Sequence, residues 1–265
     1  MIKQIDNRLW FYINGASRAL IANYGRLWGG FYPLVNEYPK SGGSWFAQML
    51  SDALDLPFPR NRLPMLRNSM LHGHYNYNSN LGNCCVVWRD GRDVMVSWYY
   101  HKIIGNELSS GKASSTLVKY LGFKDPVDIN NNLPAFIEYS FEEQRQPKFS
   151  WADFVNAWSG KEAFHTKYEL LLEDPGWELI KAVEWLGCSP LPQSHVNEIV
   201  SRYSFANLSG RKPGEESRKS YLRKGTSGDW KNHFSFQSRS LFNEYAGPKL
   251  VQLGYERDES WVKES

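Results

Sequence analysis

Cysteine is scarce: three occur in 265 residues, at positions 84, 85 and 188. Cys84 and Cys85 are adjacent in an apolar run, so on a strand they point to opposite faces and cannot easily pair. Reduced thiols and a cytoplasmic home follow as expectations. Runs of one charge are also missing. With a net charge of +3 and no run of five basic residues, the chain lacks the stripe that nucleic acid requires, and a small anionic ligand suits it better. Long apolar runs are absent too: the stretch after the polar start Met1–Arg8 is broken by Arg18, Asn23 and Arg26, so no signal peptide or membrane span is readable. No repeat, low-complexity tract or Pro/Gly-rich linker interrupts the chain, which predicts one domain over residues 1–265.

Hydrophobic residues make up 42% and charged residues 22%, ordinary globular usage that excludes a disordered or fibrous chain. The aromatic share is 15%, with 11 Trp. Such residues build a large aromatic core, and they also grip nucleobases and hydrophobic acceptors. Residues 1–33 read as an N-terminal helical segment, with an amphipathic helix in Trp10–Tyr32 packed on the domain. Strand Leu34–Tyr38, turn Pro39–Ser44 and helix Trp45–Leu54 form one unit. Strand Cys84–Trp88, turn Arg89–Arg92 and a helix from near Asp93 form a second, and strand Ala163–Tyr168 with helix Trp177–Leu186 a third. Three such units predict an α/β fold in three layers, a parallel sheet with helices on both faces and ligands beyond the carboxyl ends of its strands.

Pro39-Lys40-Ser41-Gly42-Gly43-Ser44-Trp45 lies where a strand meets a helix, the place where free N–H groups and the positive helix end attract phosphate. In a Walker loop the Lys follows the glycines; here Lys40 precedes them, which argues against an ATPase or GTPase. A Gly-rich turn alone is a weak signal, and four further segments strengthen it. Arg89 and Ser97 stand eight positions apart across Arg89-Asp90-Gly91-Arg92-Asp93-Val94-Met95-Val96-Ser97, so a strand-end guanidinium and a hydroxyl on the next helix can converge on one anion. Arg223-Lys224-Gly225-Thr226-Ser227-Gly228-Asp229-Trp230 is a basic, glycine-containing loop. Lys167-Tyr168-Glu169-Leu170-Leu171 and Tyr203-Ser204-Phe205 supply aromatic groups. Singly each has a plainer explanation, as surface charge, helix hydroxyl or solvated loop.

Jointly, and in their order along the chain, they resemble the signature segments of the PAPS-dependent sulfotransferases, which use 3'-phosphoadenosine 5'-phosphosulfate (PAPS) as sulfuryl donor and release PAP. The resemblance implies a P-loop-like fold. It further implies that Lys40, Ser41, Gly42, Gly43, Ser44 and Trp45 hold the 5'-phosphosulfate, and that Arg89, Ser97, Arg223, Lys224 and Gly225 hold the 3'-phosphate. Tyr168 would lie near the adenine, with Trp45 and Phe205 sandwiching it and Tyr203 alongside. Gly43 and Ser44 stand where the family has threonines, Leu170 where it has Asp, and Tyr203 where it has Thr. Leu71-His72-Gly73-His74-Tyr75 falls where the family carries Lys-Thr-His, which aligns His74 with the base and His72 with the Lys. On sequence alone the two histidines are interchangeable, and His101 is a structural candidate.

An imidazole with an ordinary pKa of about 6.5 suits a base near neutral pH. The His-x-His spacing also suits a metal, but no third ligand with suitable spacing stands out, so no metal is expected. Residues 105–150 match no segment and read as a lid for the acceptor; Glu138, Glu142 and Glu143 there hint at a cationic small molecule. The family's dimerisation stretch is half lost, with Lys231, Ser235, Phe236 and Ser240 at its places, which predicts no dimer by that route and leaves oligomeric state open. Two rivals remain: a P-loop small-molecule kinase, which needs a Gly-Lys-[Ser/Thr] ending and carboxylates for Mg²⁺, and a catalytically silent PAP-binding module. Neither the acceptor nor the choice between O- and N-sulfation is legible.

Overall fold

The computed structural model describes residues 7–60, 62, 66–105, 112–143 and 147–263. In chain order, α1 (Asn7–Tyr24) and a 3-10 turn (Gly25–Trp28) precede β1 (Leu34–Glu37), α2 (Gly43–Ala53), β2 (Leu71–Gly73), β3 (Cys84–Trp88) and α3 (Gly91–Tyr99). A π-helical turn (Tyr100–Ile104), α4 (Lys112–Tyr120), α5 (Ile129–Glu142), α6 (Trp151–Trp158) and β4 (Phe164–Lys167) follow. The remainder is α7 (Tyr168–Glu173), α8 (Pro175–Trp185), α9 (Gln193–Arg202), α10 (Phe205–Ser209), a 3-10 turn (Asp229–Asn232), α11 (Phe236–Gln252) and a last 3-10 turn (Glu259–Lys263). Among the described residues no helix is long and apolar enough to cross a membrane.

Backbone contacts group the chain into two compact units. The first (residues 1–37, 42–88 and 161–203) contains a four-stranded, all-parallel sheet in the order β2-β1-β3-β4. A parallel strand buried on both faces needs a continuous apolar run, and Cys84-Cys85-Val86-Val87-Trp88 is one. The chain passes from β1 outward to β2 and then returns across β1 to β3. That reversal is a topological switch point, where ligands of open α/β sheets bind beyond the strands' carboxyl ends. Val35, Phe46, Leu50, Val87, Leu179 and Val183 join in one core that seats α2 and α8 on the sheet. Each such side chain contributes roughly 1.5–3 kcal/mol. The N-terminus of α8 is set by Pro175 and by the Asp174 side chain, which accepts from Trp177 N at 2.9 Å. All three cysteines are free.

The second unit (residues 38–41, 89–160 and 204–265) is helical, and it explains much of the aromatic excess. Trp151, Phe154, Trp158, Phe136, Phe242 and Trp261 are almost fully buried within it. Asp90 caps α3 by accepting from Arg92 N at 2.9 Å. The Arg92 guanidinium, 2% exposed, pairs with Asp90 and Glu256 and lies 3.8 Å over the Trp230 ring. Arg92 is therefore a structural cation.

Within the expected 105–150 lid, residues 106–111 and 144–146 lie outside the described residues. The rest forms α4 and α5. The Asn130-Asn131-Asn132 run is helix-terminal wiring: Asp128 caps α5 at Asn131, and Asn132 Nδ2 donates to the Tyr99 hydroxyl at 2.9 Å.

Candidate active site

In the sheet unit, β1 ends in two buried polar residues. Asn36 exchanges hydrogen bonds with the Tyr75 backbone at 2.8 and 2.9 Å. Glu37, 1% exposed, is more unusual. Its Oε2 accepts from Gly43 N at 2.6 Å, its Oε1 lies 2.9 Å from His72 Nε2, and its backbone carbonyl oxygen lies 2.9 Å from His74 Nδ1. Carboxylate and carbonyl oxygens only accept, so His72 carries its proton on Nε2 and His74 on Nδ1. The lone pair of His74 then resides on Nε2. Burial pushes the Glu37 carboxyl up, but the His72 hydrogen bond, both imidazoles and the Gly43 N–H outweigh it and leave it below its ordinary value. Desolvation by the surrounding protein and the neighbouring His72 ring pull the His74 pKa down to about 4; the ring is nonetheless the exposed member of the trio, and solvent tempers that shift.

One ligand atom from each of Glu37, His72 and His74 lies within 4.8 Å of the other two. Glu37 thus supplies the third ligand that the spacing does not reveal, from a neighbouring strand. Two imidazoles and a carboxylate suit a borderline divalent cation, yet both Glu37 oxygens already accept protein hydrogen bonds.

The helix after the loop begins at Gly43, two residues before the expected start, because Glu37 caps its first N–H. Gly42 has φ 91°, a left-handed conformation, and a Cβ there would meet the Tyr168 ring at 2.5 Å. Tyr168 opens α7 and meets the Trp45 ring edge-on at 6.2 Å between centroids. Trp45 Nε1–H donates to the Tyr203 carbonyl at 2.7 Å. The backbone of Tyr203, rather than its departing side chain, holds Trp45 in place. Ser44 is buried.

In the helical unit, Lys40 has φ 76°, a non-glycine residue in the left-handed region, at a strain of about 1–3 kcal/mol. Its ammonium sits 4.0 Å over the Tyr221 ring, a neighbour no motif indicates. Ser41, 1% exposed, donates its N–H to the Tyr38 carbonyl. Arg89 Nη1 donates to the Lys40 carbonyl at 2.7 Å, joining segments 49 residues apart in sequence. Ser97 is buried on α3. Asp93, in the first turn of α3, accepts from Gly228 N at 2.6 Å and Trp230 N at 2.9 Å and so fastens the glycine loop to α3. Burial raises its pKa against the pull of the Arg89 charge.

Arg223 and Lys224 each reach an Asp229 carboxylate oxygen at 2.5 Å, and Arg223 also reaches Glu216 at 2.5 Å. Burial pushes the Asp229 carboxyl up, but hydrogen bonds from His233 and Lys224 and the charge of Arg223 hold it well below the carboxylate range. Gly225 packs against Phe205, the first residue of α10. His101 stacks on Trp98 at 5.3 Å in the π-helical turn, its pKa lowered to about 4 by burial and then by Lys40.

Two of the three carboxylates in the expected lid have partners already: Tyr245 donates its hydroxyl to Glu142 and Tyr120 to Glu143. A groove of about 970 Å³ lined by Trp28, Tyr32, Leu56 and Pro57 opens near the amino end of β1, away from the loop at its carboxyl end.

A family model described as "Sulfotransferase domain" matches residues 79–254, about two thirds of the chain. The chain belongs to this family. The matched stretch takes in Arg89, Ser97, Tyr168, Tyr203, Phe205 and Arg223–Gly225; Lys40, His72 and His74 precede it. Sulfotransferase 1E1 of Rattus norvegicus is 27% identical over 179 residues, 62% of this chain and 54% of that protein. Sulfotransferase 1 family member D1 of the same organism is 26% identical over 259 residues, 80% of each chain. The chain thus spans about half the length of the first relative and more of the second. The crystal structure of mouse sulfotransferase SULT7A1 complexed with PAP superimposes with a TM-score of 0.62 at 17% identity, covering 95% of this chain and 94% of that one. At that identity the likeness establishes the fold: α/β with a parallel sheet, as the sequence predicts.

Proposed function

We propose that this chain is a sulfotransferase that moves the sulfuryl group of PAPS to a hydroxyl or amine of a small-molecule acceptor. The observation that carries the reading is the 2.7 Å bond from Arg89 to the Lys40 carbonyl, which joins the Lys-bearing loop to the Arg/Ser segment, the two stretches that the resemblance assigns to the donor's two phosphate ends. Family membership supports it.

In this mechanism Ser41 and the loop backbone hold the 5' end of the donor with Lys40, while Arg89, Ser97, Arg223, Lys224 and Gly225 take the 3'-phosphate. Trp45, Tyr168, Tyr203 and Phe205 supply the adenine's surroundings. The acceptor's proton passes to Nε2 of His74 as its oxygen or nitrogen bonds to sulfur. The bond from sulfur to the phosphate oxygen breaks, and PAP leaves. Charge grows on that departing oxygen, where the Lys40 ammonium is most stabilising. His74 suits the base because its proton sits on Nδ1 and a depressed pKa keeps it neutral at pH 7. The lid's charge recommends a cationic acceptor only through Glu138, since Glu142 and Glu143 hold tyrosines.

The test is thermal unfolding of the purified protein with PAP, with ATP and with neither, followed by PAPS turnover without added magnesium. A ligand that binds only the native state raises the midpoint. A shift with PAP and little with ATP is expected; a shift with ATP alone, or with neither, overturns the assignment.

A further inference from the structure

We propose, resting on the sulfotransferase reading, that Glu37 is a positioning residue that fixes the ring tautomers of both histidines and ties them to the phosphate-binding turn. Three of its atoms do this. Oε1 requires a proton on His72 Nε2, the backbone carbonyl requires one on His74 Nδ1, and Oε2 receives the first N–H of α2. The ring nitrogens left for chemistry are His72 Nδ1 and His74 Nε2.

The same residue accounts for a departure from the family pattern. A Cβ at position 43 would lie 2.8 Å from the Glu37 carboxyl carbon, so the family's threonine there would require this carboxylate to move. Gly43 and His72 are then two consequences of one buried glutamate: the first makes room for it and the second partners it. A carboxylate this deeply buried is tolerated only when fully hydrogen-bonded, and Glu37 is held at both oxygens by Gly43 N and His72. Among the described residues, Arg18 on α1 also bears on the trio by lowering the His74 pKa, and Tyr75 after β2 in turn acts on Arg18.

Replacing Glu37 by Gln tests the assignment. The amide oxygen can still accept from Gly43, which turns its NH₂ toward His72 and forces that ring to present a bare Nε2. Side-chain ¹⁵N NMR of the wild type is expected to show Nε2–H on His72 and Nδ1–H on His74, and the E37Q spectrum a flipped His72. The variant should lose about 10- to 100-fold in kcat through the flipped His72 alone, because the backbone carbonyl still holds His74, while its PAP-induced midpoint shift persists.

Gly43→Thr alone should unfold at a lower temperature and lose activity. The double variant E37S/G43T should recover the melting temperature but not kcat. Recovery of both would reduce Glu37 to a structural role and sink the proposal, as would unchanged ¹⁵N shifts and kcat in E37Q. Zn²⁺ that raises the melting temperature of the wild type but not of E37Q would overturn it in another way, making the trio a metal site. Absence of any PAP shift in the wild type refutes the sulfotransferase reading instead, and leaves the tautomer measurement standing on its own.

Discussion

The carboxyl end of β1 and the loop that follows α10 handle charge in opposite ways. At the first, one buried carboxylate is surrounded by imidazoles and a backbone N–H, and among the described residues no fixed cation pairs with it. At the second, the permanent cations Arg223 and Lys224 share the carboxylate of Asp229. The first arrangement presents a neutral imidazole that can accept a proton at pH 7; the guanidinium and ammonium of the second stay charged there and cannot. The two regions are therefore suited to different tasks, proton transfer in one and anion binding in the other. Variants can separate them.

The largest effect is expected from His74→Ala. It should lower kcat by about 10²–10⁴ while leaving the PAP-induced rise in melting temperature intact, because the ring serves the acceptor's proton and not the nucleotide. Equal losses of kcat and of the PAP shift would erase the division of labour. Lys40→Ala comes next, at roughly 10²–10³ in kcat with a smaller change in PAP affinity, since its charge matters most where the leaving oxygen develops its own. Steady-state kinetics alongside calorimetric titration of PAP separates the two quantities.

On the anion side, Arg89→Ala should weaken PAP by about 10- to 100-fold, the worth of one or two charged hydrogen bonds, with saturating kcat changed far less. Arg89→Lys should fall between, because an ammonium keeps the charge and loses the fork. An Arg89→Ala variant that binds PAP like the wild type would contradict the 3'-phosphate role.

The contrast between these regions also marks where sequence suffices. Cys84–Trp88 is observed with the bounds its apolar run predicts, and β1, β4 and α8 fall within two residues of expectation, because burial on both faces and a Pro/Asp cap are local signals. Arg89 and Lys40 were legible as separate motifs, and only their contact needed the fold. Glu37 was not legible: within a four-residue strand it reads as polar punctuation, and its imidazole partners lie 35 and 37 residues away, on and just after a neighbouring strand. The early start of α2 was missed for the same reason. Arg92 shows the converse. It shares the Arg-Asp-Gly-Arg segment with Arg89, and nothing local distinguishes a buried cation between Trp230 and Trp261 from one that faces a ligand. Asp93 and Asp229, the acids that organise the glycine loop, have the same excuse: their partners are backbone N–H groups and basic side chains whose approach depends on tertiary packing.

The smallest effect concerns stability rather than turnover, and it tests whether Asp229 belongs to the binding region's scaffold. Its folded pKa is depressed, so the carboxylate's stabilisation is fully present above the unfolded value near 4 and is lost as pH falls below it toward the folded pKa. Asp229→Asn removes an acceptor for Arg223 and Lys224 and should lower the melting temperature at pH 7 by roughly 3–10 °C, from one or two charged hydrogen bonds in a chain of this length. Acidification should then narrow the gap, because the wild type alone has that stabilisation to lose. Melting curves from pH 7 to pH 3 check the sign. If the difference stays constant over that range, the ion pairs at Asp229 contribute nothing through its charge, and Arg223 and Lys224 must be held by packing instead.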